Sequence, residues 1–191
     1  AYRHQNDPET ALNYLLKAIR IEEQLLPANH PDLARTYNSI GGIYGQLNNH
    51  YQALEFMQKA LTIREIELPG DHPLLASSYN NVGFTYEKLG DVEKALHYML
   101  KALEIREHIL PENHPDLALS YSNVGYTYGS LGDSENALKY SLKAVLIREQ
   151  ILPKNHPDLA TSYDNVSDIY ADIGNYEKAL EYQIQALNIW E

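Results

Sequence analysis

Apolar residues recur at helical steps along the whole chain. Leu33, Tyr37, Ile40, Gly41, Tyr44 and Leu47 follow one another three or four residues apart, which is the spacing of one face of an α-helix. Ala53, Leu54, Met57, Ala60, Leu61 and Ile63 set out a second such face shortly afterwards. Polar punctuation marks the boundaries. His30-Pro31-Asp32 opens the first helix, because proline at the first helical position lacks only an N–H that would be unpaired anyway, and aspartate suits the positive end of the helix dipole. Gly90, Gly132 and Gly174, with Asn48 in the equivalent place, are residues that tolerate the left-handed conformation of a helix stop. Asp91, Asp133, Asn175 and Asn49 follow them as N-caps of the second helix. That helix ends before a Leu-Pro step, as at Leu68-Pro69. Two helices of roughly 16 residues, each about 25 Å long, are predicted per pattern.

The pattern repeats. His-Pro stands at residues 30, 72, 114 and 156, always 42 residues apart. The same step relates Pro27, Pro69, Pro111 and Pro153, the tyrosines at 37, 79, 121 and 163, and those at 44, 86, 128 and 170. Alanines recur at 11, 53, 95, 137 and 179, and again at 18, 60, 102, 144 and 186. Chance does not produce such columns, so one helix pair is being stacked. The small residues at Gly41, Ala53 and Ala60 leave room for backbones to approach. The implied division is a single array: a partial repeat at 1–29, then repeats at 30–71, 72–113, 114–155 and 156–191, the last one truncated. Tyr2 aligns with Tyr44, which puts the start of the chain in the last turn of a first helix. Residues 7–26, opened by Asp7-Pro8-Glu9, then form a second helix without its own first, and Ile189-Trp190-Glu191 aligns with Ile63-Arg64-Glu65 inside a helix. With no initiator methionine and no polar capping repeat, which arrays normally need for solubility, a segment of a longer protein is expected.

Tyr37-x-x-Ile40-Gly41-x-x-Tyr44 followed by Ala53 and Ala60 resembles the tetratricopeptide repeat. The period of 42, instead of ~34, and the stretch Ala102–Tyr128 resemble the longer variety found in kinesin light chains. The resemblance covers essentially the whole chain. It implies an all-α, right-handed α-solenoid of antiparallel helix pairs, in which the first helices line a concave groove that binds peptides. Two departures stand out: kinesin light chains usually carry glycine where this chain has Pro27, Pro111 and Pro153, and their groove is basic.

Charge and composition narrow the function. Twenty-six acidic and 15 basic side chains give a net −11, the wrong sign for a non-specific binder of nucleic acid or anionic membrane. The absence of cysteine removes disulfides, thiolate zinc sites and cysteine nucleophiles. No apolar run approaches the ~20 residues of a membrane span, and no signal peptide opens the chain, so neither nucleic acid nor membrane is an expected partner and the expected location is cytoplasmic. Four of the eight histidines lie in the His-Pro turns. Repeats stacked ~8–10 Å apart hold those imidazoles too far from one another to share an ion at ~2 Å, so they serve as helix starts. No His-Glu-x-x-His, phosphate loop or Gly-x-Ser-x-Gly turn is present, and neither catalysis nor a cofactor or metal is expected. The Ile-Arg-Glu column, Arg64, Arg106 and Arg148, is expected to pair with neighbouring acids at helix ends.

The unusual surface lies on the first helices, opposite the tyrosine stripe. A solvated helix face is usually rich in Lys and Glu, but this one carries Asn38, Asn80, Asn81, Phe84, Lys88, Asn123, Tyr126 and Asn165. An asparagine side chain both donates to and accepts from a peptide bond, and Phe84 and Tyr126 supply apolar anchors. By the resemblance, Asn81, Asn123 and Asn165 fall where such grooves place an asparagine that holds the ligand's main chain. The competing reading is that these amides only stabilise helix packing. Asp164, Asp168 and Asp172 share one face at i, i+4 and i+8, and residues 157–191 carry a net −6. Like charges so spaced destabilise a helix by ~0.2–0.5 kcal/mol per pair. They form either a solvated acidic patch or a receiver for a basic segment of a protein or peptide ligand. The apolar Ile184, Leu187 and Trp190 of the last helix suggest an alternative role, self-association of arrays end to end.

Overall fold

The computed structural model describes residues 7–190. The helix end expected at Tyr2 lies outside them, as does Glu191. Nine α-helices and no strand occur among the described residues. The second helices of the pairs are α1 (Pro8–Leu25), α3 (His50–Glu67), α5 (Val92–Ile109), α7 (Ser134–Ile151) and α9 (Tyr176–Trp190). The first helices are α2 (Pro31–Gln46), α4 (Pro73–Lys88), α6 (Pro115–Ser130) and α8 (Pro157–Asp172).

The punctuation works as its chemistry dictates. His30, His72, His114 and His156 are themselves the N-caps, each imidazole Nδ1 accepting from the backbone N–H two residues on at 3.1–3.2 Å. Asn48, Gly90, Gly132 and Gly174 have φ of +58°, +81°, +77° and +78°, and the residue after each donates its N–H to the carbonyl five residues back. Asn49, Asp91, Asp133 and Asn175 then cap the second helices through side-chain oxygens at 3.1–3.3 Å. Leu26, Leu68 and Leu152 adopt extended backbone, because the proline ring that follows clashes with a helical residue before it.

Two compact units divide the chain, residues 1–98 and 99–191. In the first, α2 packs on α1 and α3, and α3 on α4. Ile19, Leu33, Ala34, Tyr37, Ile40, Ala60 and Ile63 form a buried cluster there. In the second, α6 packs on α7, α7 on α8 and α8 on α9, around Val145, Leu159, Ala160, Tyr163, Val166 and Ala186. Stacked rings recur in both: Tyr44 on Phe56 and Tyr86 on Tyr98 in the first, Tyr128 on Tyr140 and Tyr170 on Tyr182 in the second, at 5.5–5.7 Å.

Hydrogen bonds tie the second helices to the first helices that follow, one at the first joint and a pair at each of the next three. Glu23, Glu65, Glu107 and Glu149 accept from the hydroxyls of Tyr37, Tyr79, Tyr121 and Tyr163 at 2.6–2.8 Å. One residue earlier, Arg64, Arg106 and Arg148 donate to the hydroxyls of Ser78, Ser120 and Ser162. The hydrogen-bond partners of these arginines are serines and not the acids their sequence context led us to expect, although the nearby charges of Asp116 and Asp158 act on Arg106 and Arg148; burial holds their guanidinium pKa below the ordinary value. At the first joint Glu22 takes the arginine's place, and its Oε2 is buried without a partner among the described residues.

Burial, reinforced by the bond to glutamate, pushes the Tyr37 and Tyr163 hydroxyls up to about 12 and raises those of Tyr79 and Tyr121 as well. In the unfolded chain they ionise near 10. Above that pH the unfolded state has lost protons that the folded state keeps, so folding becomes less favourable. Their contribution is complete below pH 10 and is lost as pH rises from 10 towards 12. A series of thermal melts across this range, with tyrosinate absorbance recorded alongside, should show the melting temperature falling before the buried tyrosines ionise.

Candidate functional site

In the first unit the face singled out by sequence lies on α2 and α4. Asn81 Nδ2 donates to Asn38 Oδ1 at 3.3 Å, so these two amides bridge neighbouring first helices. Asn80 is partnered as well. Donation of one proton leaves Asn81 a second N–H and its carbonyl oxygen for other partners. Phe84 is 49% exposed, and Lys88 Nζ lies over its ring, 4.7 Å from the centroid, a favourable cation–π geometry. Lys88 also stands 3.6 Å from Glu87. Arg35, at the other end of the face, pairs with Asp32 at 3.0 Å.

In the second unit the corresponding face lies on α6 and α8. Tyr126 is 61% exposed, and Asn165, Asp168 and Asp172 are exposed too. Asn123 is partnered. The aspartate stripe divides. Asp164 accepts from Gln183 Nε2 at 3.2 Å and from the Trp190 indole N–H at 3.5 Å, which ties it to α9. Asp168 and Asp172 instead line a cavity of about 320 Å³ between α6 and α8, together with Tyr126 and Asn165.

Sequence reasoning missed the buried end of this cavity, formed by Gly125, Ser141 and Ile169. The signal was present in one column, which reads Met57, Met99, Ser141, Gln183. Met57 fills the space beside Gly41, where a Cβ would come within 2.7 Å of Met57 Cγ, and it accepts a hydrogen bond from the Thr85 hydroxyl at 3.2 Å. Met99 accepts likewise from Thr127. In the next pair serine replaces methionine and Ile169 replaces the threonine, and the cavity occupies the space that the thioether leaves.

On α9, Ile184, Leu187 and Trp190 are 48%, 49% and 54% exposed. Among the described residues there is no group of three His, Cys, Asp or Glu able to hold a metal ion, and no helix long and apolar enough to cross a membrane.

Successive helix pairs, small residues at the crossings and a 42-residue step define an α-helical repeat protein of the solenoid class. The sequence profile of the tetratricopeptide repeat matches residues 1–66, 40–108, 74–140 and 116–191. The chain belongs to the tetratricopeptide-repeat family. Among solved structures it is similar to the nearly identical repeats of a putative kinesin light chain from Podosopora anserina, with a TM-score of 0.85 at 21% identity over 96% of this chain and 87% of that one. It is also similar to BtubC (BKLC) from P. vanneervenii, with a TM-score of 0.86 at 25% identity over 96% and 73% of the two chains. The apo form of RapI gives 0.83 at 20% identity over 96% and 64%. No curated protein sequence matches the chain significantly. Tetratricopeptide repeats are in general protein–protein interaction scaffolds.

Proposed function

We propose that this array is a non-catalytic scaffold that binds an extended peptide segment on the faces of its first helices. The observation that supports the reading most is the pairing of amides with exposed aromatics one repeat apart: Asn81 with Phe84, and Asn123 with Tyr126. Exposed aromatics on a rigid face are anchors for a partner's side chains, while the amides match the donor and acceptor of a peptide bond. Asn38, Asn80, Asn165 and Lys88 extend the set, and Asp164, Asp168 and Asp172 favour a basic stretch in the ligand. Preformed helices keep the entropic cost of ordering the protein low. The peptide reading leaves room for Asn81–Asn38 bridging, because the bridge orients Asn81 without using all its hydrogen-bonding capacity. A second reading is favoured by the exposed Ile184, Leu187 and Trp190: self-association through α9.

Peptides selected from a displayed random library separate the two. Asn81→Ala with Asn123→Ala should weaken captured peptides at least tenfold, as the loss of two buried-on-binding hydrogen bonds implies, and leave the oligomeric state unchanged. Leu187→Ser with Trp190→Ser should leave peptide affinity unchanged. A peptide affinity indifferent to the asparagine pair would refute the groove reading, and oligomers that dissociate on changing Leu187 and Trp190 would support the alternative.

A further inference from the structure

We propose that the cavity between α6 and α8 is a socket for one arginine side chain of a bound partner; the proposal rests on the peptide-binding reading and specifies what one part of that face recognises. The cavity has two chemically distinct ends. Asp168, Asp172 and Tyr126 are exposed at its mouth, while Gly125 and Ser141 are buried at its base. Its volume of about 320 Å³ lies at the small end of the ~300–1,000 Å³ range of ligand pockets, suited to a single long side chain.

Ser141 is the informative residue. It is only 6% exposed, yet its hydroxyl lines the cavity and makes no hydrogen bond to any described residue. Several other helical serines bond the carbonyl four residues back, as Ser39, Ser77 and Ser130 do. A hydroxyl that faces the cavity can both donate to and accept from a group that enters it. The space beneath it exists because serine stands in a methionine column opposite a glycine: a Cβ at Gly125 would lie 2.6 Å from Ser141 Oγ.

An arginine fits every element of this arrangement. Its planar guanidinium stacks on an aromatic face such as Tyr126 and offers a fork of N–H donors to carboxylates. Asp168 and Asp172, one helical turn apart on α8, repel each other until a cation lies between them. A remaining N–H can donate to the Ser141 hydroxyl oxygen. Lysine supplies the charge without the plane or the fork, and uncharged side chains leave both aspartates unneutralised.

The test titrates N-acetyl-arginine methylamide and its uncharged isostere, the citrulline methylamide, into isotope-labelled protein while following backbone amide resonances. The arginine compound should shift Gly125, Gly129 and Ser141 saturably, and bind at least tenfold more tightly than the citrulline compound. Asp168→Asn with Asp172→Asn should reduce its affinity tenfold or more. Ser141→Met, which restores the residue found at 57 and 99, should abolish binding while the protein keeps its melting temperature or gains a few degrees. Equal binding of the two compounds, no saturable shift at these amides, or arginine binding that survives Ser141→Met would each overturn the socket. Library peptides separate its failure from that of the groove: binders without arginine that ignore Ser141→Met leave the groove standing and the socket refuted. Arginine amide that binds where no peptide does leaves the socket and refutes the groove.

Discussion

Tyr121→Ala should destabilise the second unit by about 3–5 kcal/mol, the range for removing a large buried ring, whereas Tyr121→Phe should cost only about 1 kcal/mol. The ring is 8% exposed, tilts against Tyr140 with centroids 6.1 Å apart, and lies under Lys143 Nζ at 4.7 Å. Alanine forfeits all of these contacts and opens a cavity at the junction of α6 with its neighbours. Phenylalanine keeps the ring and loses the 2.6 Å bond to Glu107. Glu107 is exposed, so water replaces the lost donor and no buried charge is stranded. Urea unfolding of both variants, with amide hydrogen exchange to locate the loss, separates the two contributions. Equal losses would mean that the hydroxyl, and not the ring, is what this column requires.

Two adjacent glycines should respond with opposite signs. Gly41→Ala is expected to destabilise by about 1–2 kcal/mol and Gly42→Ala to stabilise by up to about 1 kcal/mol. Both lie in the interior of α2, where alanine is intrinsically the better helix former by about 1 kcal/mol. At Gly42 nothing lies within 4 Å of the added methyl, so the propensity gain is realised. At Gly41 the methyl meets Met57 Cγ at 2.7 Å and the Ala53 carbonyl oxygen at 3.1 Å. Met57 is itself fixed under Thr85, so α2 and α3 must separate, and overpacking of this kind costs ~1–3 kcal/mol. Thermal melts of the two single variants decide the matter; a shared sign would show that α2 and α3 are not in close contact at Gly41.

The fold was legible because every repeat carries the same local instructions. Proline at the first helical turn, glycine or asparagine at the left-handed stop and an Asx cap each act within a few residues, so their meaning survives without knowledge of the tertiary structure. Long-range pairing was less legible. Arg64 and Glu65 both reach 14 residues along the chain to Ser78 and Tyr79, and charge alone suggested acids for the arginine. On the binding faces, sequence identified Asn81, Phe84 and Tyr126 as unusual, but a helical wheel does not reveal that Asn81 already holds Asn38. The same limit applies to Asp164, which its four-residue spacing groups with Asp168 and Asp172 and which the α9 side chains claim instead. The cavity escaped notice because it is made by what is missing, a methionine replaced by serine, and volume absent from a column is visible only once the neighbours of that column are placed.

The fourteen-residue reach of the Arg–Ser and Glu–Tyr bonds has a bearing on how such a chain lengthens. A 42-residue segment such as 66–107 or 80–121 carries one arginine–glutamate plug and one serine–tyrosine socket, whereas the first joint, with Glu22 and Thr36, departs from that pattern. A duplicated segment therefore arrives with both couplings already matched to its neighbours, and in-frame gain or loss of whole modules needs no compensating substitution at the joints. Divergence is then free to accumulate on the first helices, where one column changes from asparagine at 38 and 80 to Ser122 and Asp164 while the couplings at residues 64–79, 106–121 and 148–163 stay interchangeable.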